Sequence, residues 1–233
     1  MINALLLDAR QERTAHKSPQ TATPELPGFI NQRLSGVHSR GTILFSEGQQ
    51  SKGVYLVVSG SVKVWICSPH GKILILRIAR VGDLLGVNSG LTGRPHEATA
   101  ECLDHSRTIF IPRDEFISMY SGNEEMRKFV LRIFSRHVSE MIDSTRRNLL
   151  SETAKEKLAS LLLKWADDLG LPDPKGVKVV LTFTHEEIAQ MICTSRETIS
   201  RLLSEFTRKG IITFIGKSLY LRNLSALRNI GQI

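Results

Sequence analysis

The sequence predicts an α+β chain: an antiparallel β-sandwich or barrel, then one long amphipathic helix, then a winged helix-turn-helix. Three observations predict it. Short Val- and Ile-rich runs separated by glycine turns recur about every ten residues from Gly41 to Ile111. After Pro112 the apolar period lengthens from that of a strand to that of a helix. From Thr184 onward a short helix, a three-residue turn and a two-faced second helix are followed by a hairpin pattern. The expected divisions are an arm over 1–27, the β region over 28–122, the long helix over 123–149 and the helix-turn-helix region over 150–233.

The first part is read from alternation. Thr42-Ile43-Leu44-Phe45, Val54-Tyr55-Leu56-Val57-Val58, Val62-Lys63-Val64-Trp65-Ile66 and Ile73-Leu74-Ile75-Leu76-Arg77-Ile78 are the candidate strands. Gly48, Gly60, Gly71 and Gly82 mark the turns between and after them. The second part places Met126, Phe129, Val130, Ile133, Val138, Met141, Ile142 and Thr145 at helical spacing. From Asn123 to Leu149 such a helix is about 40 Å long. That is too long for one small barrel to cover, so Phe129, Val130, Ile133, Val138 and Met141 are expected to pack on a second copy of the chain. The alternative is a helix buried wholly within one chain. A further helix over 151–169 ends at Gly170, before Pro172-Asp173-Pro174.

In the third part Thr184 and Glu187 form the pattern of a capping box ahead of Ile188, Ala189 and Ile192. Cys193-Thr194-Ser195 is the turn. In the next helix Ile199, Leu202, Leu203 and Phe206 make the inner face, while Arg196, Glu197, Ser200, Arg201, Ser204 and Arg208 lie opposite. Arginine suits guanine O6 and N7, glutamate accepts from cytosine N4, and small hydroxyls let a helix sit deep in the major groove. An isolated polar face of this kind would usually be only a solvated one; the preceding short helix and turn argue otherwise. Ile211–Ile215 and Ser218–Leu221 flank Gly216-Lys217 as a hairpin wing, with Lys217 at its tip to meet a phosphate and Lys178–Leu181 as a third strand. Thr184, Thr194 and Ser195, at the two helix starts, join Arg196, Glu197, Ser200, Arg201 and Lys217 as candidate DNA-binding residues.

Charge agrees with that reading. The 233 residues carry a formal net charge of +8. The last sixty residues hold nine basic side chains against four acidic ones, so a polyanion would meet this end first. Hydrophobic residues at 41% and charged residues at 23% are ordinary for a globular protein. No run nears the ~18 apolar residues of a membrane span, and the first residues lack a signal-peptide core, so a cytoplasmic protein without membrane contact is expected. Cys67, Cys102 and Cys193 are too scattered for a disulfide framework or a thiolate metal site.

With these pieces in place the chain resembles the Crp/Fnr family of bacterial transcription regulators, from about Leu26 to Leu227. Thr194-Ser195-Arg196-Glu197-Thr198-Ile199-Ser200-Arg201 looks like that family's recognition-helix signature. Gly60-Ser61-Val62-Lys63-Val64, Val81-Gly82-Asp83-Leu84-Leu85-Gly86 and Gly93-Arg94-Pro95-His96-Glu97-Ala98-Thr99-Ala100 look like its β-roll. The resemblance implies a sensory, cyclic-nucleotide-binding-like jelly roll, a dimerisation helix and a DNA-binding winged helix. It implies double-stranded DNA, a second copy and RNA polymerase as partners. Arg196, Glu197 and Arg201 match base-contacting residues of one branch and Ser200 a serine of another; the implied half-sites contain TGA. Where the family usually has glycine, this chain has Cys193, a substitution expected to cost about 1 kcal/mol in a left-handed turn.

The effector region departs further. The resemblance places an effector pocket at Gly86, Val87, Asn88, Glu97, Ala98 and Thr99. Cyclic-nucleotide binders of the family carry Gly-Glu-Leu after the Gly-Asp turn and an Arg-Ser pair on the cyclic phosphate. Here Gly86 precedes Val87 and Asn88, and Glu97-Ala98 stands in place of that pair. A carboxylate there repels a phosphate, so cyclic AMP is not expected, no cofactor is identified and the effector is unknown. His96, Glu97, Glu101, Cys102 and His105 crowd together, but on one strand His96 and Cys102 would stand about 20 Å apart and could not share an ion. A cupin-type metalloenzyme would want a His-x-His pair, which is absent, and no catalytic triad or paired carboxylates stand out, so no enzymatic activity is expected. A sensory adaptor acting only through protein contacts would not need the Arg-Glu face.

Overall fold

The computed structural model describes residues 35–180, 183–216 and 218–231. The expected arm over 1–27, Leu181 and the wing-tip Lys217 lie outside them. Two four-stranded antiparallel sheets form the N-terminal part. One has the order β1 (Gly36–His38), β8 (Ser106–Pro112), β3 (Gly53–Ser59), β6 (Leu84–Leu85). The other has the order β2 (Ile43–Phe45), β7 (Thr99–Cys102), β4 (Val62–Cys67), β5 (Ile73–Ala79). Alternation explains how they pack. Val57 and Leu85 of the first sheet meet Phe45, Val62, Ala79, Ala100 and Cys102 of the second, filling the space between them.

The opposite face of the first sheet carries Val54, Leu56, Ile109 and Ile111, and helices cover it. These are α1 (Val87–Thr92), α2 (Arg113–Gly122) and the start of α3 (Glu124–Leu150). Asn123 caps α3 by accepting from the Met126 amide at 3.1 Å. Met126, Phe129, Val130 and Ile133 are at most 2% exposed and lie in the same apolar cluster as β3 and β8.

Here the expectation for the long helix needs correcting. Phe129, Val130 and Ile133, assigned to contact with a second copy, are buried in the chain's own core. Periodicity reports that a helix face is buried, not against what. The exposed apolar side chains are Leu131, Val138, Met141, Ile142, Leu149 and Leu150. Leu131 and Val138 stand seven residues apart, the repeat of a coiled-coil seam, and Met141 follows at its next step.

The helix expected from Ser151 begins later, as α4 (Ala154–Leu169), because Thr153 takes the cap position. Its hydroxyl accepts from the Glu156 amide at 3.2 Å while Glu156 reaches back to the Thr153 amide. After Gly170 the sequence read as a stop is a strand, β9 (Leu171–Asp173). It sits at the edge of a sheet of order β11 (Ile212–Ile215), β12 (Ser218–Leu221), β10 (Gly176–Val180), β9. Pro172 has no N–H to donate, and an edge strand tolerates that. The wing therefore rests on four strands, one more than the alternation indicates.

The C-terminal core gathers Leu158, Leu162 and Trp165 of α4 with Ile188 of α5 (His185–Met191), Ile199 and Phe206 of α6 (Arg196–Arg208), and Leu227 of α7 (Leu224–Gly231). Ile75 of β5 belongs to this core at 2% exposure, with Trp65 and Ile78 against it. The β-roll thus packs directly on the helix-turn-helix.

Candidate nucleic-acid interface and effector region

The helix-turn-helix is built by local rules. Thr184 caps α5: its hydroxyl accepts from the Glu187 amide at 3.2 Å, and Glu187 Oε2 accepts from the Thr184 amide at 2.7 Å. Cys193 has φ of +56°, the left-handed turn conformation expected at that position. Thr194 donates its amide to the Ala189 carbonyl at 3.0 Å, closing the turn. Ser195 caps α6, accepting from the Thr198 amide at 3.2 Å. Ile199, Leu202, Leu203 and Phe206 are buried, whereas Arg196, Glu197, Arg201, Ser204 and Arg208 are exposed and Ser200 is half-buried.

The electrostatics of α6 suit a base-reading role. The Glu197 amide at the helix start, helped by the Ser195 hydroxyl and Arg196, holds the Glu197 carboxyl below its ordinary range. It therefore stays an acceptor at neutral pH. At the far end Glu205 binds Lys155 of α4 at 2.8 Å and Lys209 at 2.7 Å, and these contacts push its carboxyl down to about 2. Those lysines are occupied, leaving Arg196, Arg201 and Arg208 as the cationic groups of the helix face.

Two contacts at this interface escape sequence reasoning. His185 Nδ1 lies 2.8 Å from Ser200 Oγ, joining α5 to α6. Arg40, in the turn before β2, binds Glu187 Oε1 at 2.7 Å and also donates to the Leu103 carbonyl. The residue that completes the α5 capping box is thereby tied to the β-roll. No sequence pattern connects positions 147 residues apart. For His185 the one available signal was its place beside Thr184 at the start of the first helix.

In the effector region the six expected residues divide by burial. Val87, Ala98 and Thr99 are buried, and Thr99 Oγ1 accepts from the Glu47 amide at 3.0 Å. Gly86 has φ of +72°, a conformation strained for an L side chain, and a Cβ there would stand 3.0 Å from the His96 ring, which would have to give way. Glu97 is exposed and accepts from the Asn88 amide group. Val87, Ala98, Thr99 and Gly86 shape the region; Glu97 and Asn88 are its polar surface.

The crowded potential ligands separate in space. His96 is not on the strand; it is buried ahead of β7, stacked on Phe45 with ring centroids 3.8 Å apart, its Nδ1 2.7 Å from Ser89 Oγ. Burial pushes the His96 imidazole below its ordinary value, keeping it neutral. Glu101 takes Lys63 at 3.0 Å and the Trp65 indole at 3.2 Å. Among the described residues no three His, Cys, Asp or Glu side chains converge as metal ligands. No described helix is long and apolar enough to cross a membrane.

Asp83 forms the junction between β-roll and long helix. It is 5% exposed, bonded by Arg136, faced by His137 at 3.3 Å and Arg77 at 3.8 Å, and accepts from the Arg80 amide at 3.0 Å. Burial pushes its carboxyl up, but the His137 bond, both guanidiniums and the Arg80 amide together hold it below its ordinary value. Burial pushes the neighbouring Glu140 carboxyl up.

Comparison with known proteins agrees with this architecture. Residues 156–230 match the Crp-like helix-turn-helix domain, and residues 37–123 match the cyclic nucleotide-binding domain. The chain is 28% identical over 209 residues to the CRP-like cAMP-activated global transcriptional regulator of Mycobacterium tuberculosis (strain ATCC 25618 / H37Rv), covering 89% of this chain and 93% of that one. It is 26% identical over 173 residues to the anaerobic regulatory protein of Bacillus subtilis (strain 168), covering 74% and 72%. Among solved structures, a CooA mutant from Carboxydothermus hydrogenoformans matches with a TM-score of 0.75 at 24% identity, over 89% of this chain and 91% of that one. FixK2 from Bradyrhizobium japonicum matches with a TM-score of 0.74 at 21% identity, over 85% and 96%. A β-roll, a long helix and a DNA-binding helix-turn-helix, in that order and matched over both halves, place the chain in the Crp/Fnr family of transcription regulators.

Proposed function

We propose that this regulator acts as a homodimer, reading a palindromic DNA site with two α6 helices set about one helical turn apart. The observation that carries the reading is the division of α6 into four buried apolar side chains and an opposite face of exposed Arg196, Glu197 and Arg201 with half-buried Ser200 among them. Arg201 reads the guanine of a TGA core and Glu197 the cytosine opposite it. Arg196 adds a second guanine in a TGTGA-like half-site, the form favoured over a TTGAT-like one because a bidentate Arg–guanine pair discriminates by about 1–3 kcal/mol. Thr184, Thr194, Ser195 and the wing-tip Lys217 hold the phosphates. RNA polymerase is the onward partner. The division into a sensory part over residues 28–122 and a DNA-binding part over 150–233 belongs to the same reading.

A selection from a random DNA library tests it. The wild type is expected to yield a two-fold motif containing TGA, and Arg201→Ala to lose preference at the guanine by roughly 5- to 150-fold. A consensus without TGA, or an unchanged motif for Arg201→Ala, refutes the docking.

The signal received by the β-roll is, on this reading, a molecule other than cyclic AMP, although the mycobacterial relative is described as cAMP-activated. The support is Glu97, whose exposed carboxylate stands where the family's binders place a phosphate grip. Calorimetry is expected to give no saturable cyclic AMP binding at micromolar concentrations. Binding that Glu97→Ala abolishes would refute this.

A further inference from the structure

Three hydroxyl side chains lie on the wing side of α6, and one behaves differently from the others. A mid-helix serine or threonine usually turns its hydroxyl back onto the carbonyl four residues earlier. Ser204 does so, donating to the Ser200 carbonyl at 2.8 Å, and Thr207 likewise donates to the Leu203 carbonyl at 2.8 Å. Ser200 instead meets His185 Nδ1 at 2.8 Å, across the gap between α5 and α6. His185 comes directly after the capping Thr184, so the capping box fixes its backbone. His185, Ser200, Ser204, Arg208 and Phe214 line an open groove of about 490 Å³ between α6 and the wing.

We propose that His185 is a positioning residue for the Ser200 hydroxyl, and through it sets the base-pair preference read at that point of the DNA site. The proposal rests on the reading of α6 as the DNA-reading helix. A hydroxyl carries one proton and two lone pairs and rotates to suit its neighbour, so a free serine barely distinguishes one base edge from another. The bond to His185 removes that freedom. If Ser200 donates to Nδ1, only its lone pairs face the groove, and they select the amino group of adenine or cytosine. If Nδ1–H donates, one lone pair is taken, and the Ser200 proton and its other lone pair are held in set directions, so that the proton meets an acceptor such as guanine O6 or thymine O4. Either way His185 sets the orientation of the hydroxyl.

The test uses the full-length protein: library selection, then titration of the chosen duplexes at several salt concentrations. His185→Ala and Ser200→Ala are expected to relax preference at the same base pair, by roughly threefold to tenfold, less than a bidentate contact would give. The double variant should be no worse than either single one. His185→Asn, which returns a hydrogen-bonding atom near the Nδ1 position, should restore the preference, with the salt dependence unchanged throughout. If His185→Ala weakens all sequences alike and lowers the salt slope by about one, it contacts a phosphate and the positioning role is overturned. Arg201→Ala is run alongside. If it loses its own base preference while His185→Ala keeps the wild-type motif, the positioning role alone is overturned; if neither alters the motif, the reading of α6 falls.

Discussion

Cys193 is the described non-glycine residue with a left-handed backbone, and it sits where the helix-turn-helix reverses direction between α5 and α6. An L side chain in that conformation is strained by about 1 kcal/mol. Cys193→Gly is therefore expected to raise stability by about that amount, and Cys193→Val, with a branched Cβ, to lower it further; urea unfolding measures both. Buried polar residues behave differently, because their cost depends on partners brought from elsewhere. His96 is tolerated in the β-roll because it stays neutral, stacks on Phe45 and meets Ser89. Glu187 is tolerated because it caps a helix and binds Arg40 at once.

At the scale of elements, α3 is two helices in one rod. Its first half completes the β-roll core with Met126, Phe129, Val130 and Ile133; its second half leaves Val138, Met141 and Ile142 exposed at 49%, 60% and 53%. Unpartnered side chains of this size in a stripe mark a protein contact. A second copy, in parallel register, is the partner that fits the proposed palindrome. Val138→Glu with Met141→Glu is expected to give folded monomers whose operator affinity falls at least tenfold, as seen by sedimentation and mobility shift. A double variant that still sediments as a dimer refutes the assignment. Charging Ile133 would not test it, since that change breaks the chain's own core.

At the scale of the molecule, polar contacts tie the β-roll to the helices beyond it. Arg40 joins it to α5, and Asp83 joins it to the middle of α3 through Arg136 and His137. Because the native Asp83 carboxyl releases its proton at lower pH than in the unfolded chain, the unfolded state binds more protons in acid. Its stabilisation is present above about pH 4 and is lost as pH falls through the lower native value. Glu140, raised by burial, acts with the opposite sign and gains stability as pH falls through its own value. Asp83→Asn is expected to cost on the order of 3 kcal/mol at neutral pH by leaving Arg77 and Arg136 unbalanced. It should also flatten the acid limb of the stability curve, measured by urea unfolding from pH 3 to 7.

What the sequence determined by itself is what neighbours along the chain decide. Strand alternation in β3 to β5, the helical period of α3, the capping of α5 and the two faces of α6 all depend on residues within a few positions of one another. Each was legible for that reason. Only the tertiary structure decided which surface each apolar face meets, and so it moved Phe129, Val130 and Ile133 from an expected seam into the chain's own core. It also made an edge strand of Leu171–Asp173, because pairing with β10 supplies hydrogen bonds that local propensity does not foresee. The pairs His185–Ser200, Arg40–Glu187 and Asp83–Arg136 span 15, 147 and 53 positions. A polar side chain shows in sequence that it needs a partner; packing of whole elements selects which one it finds.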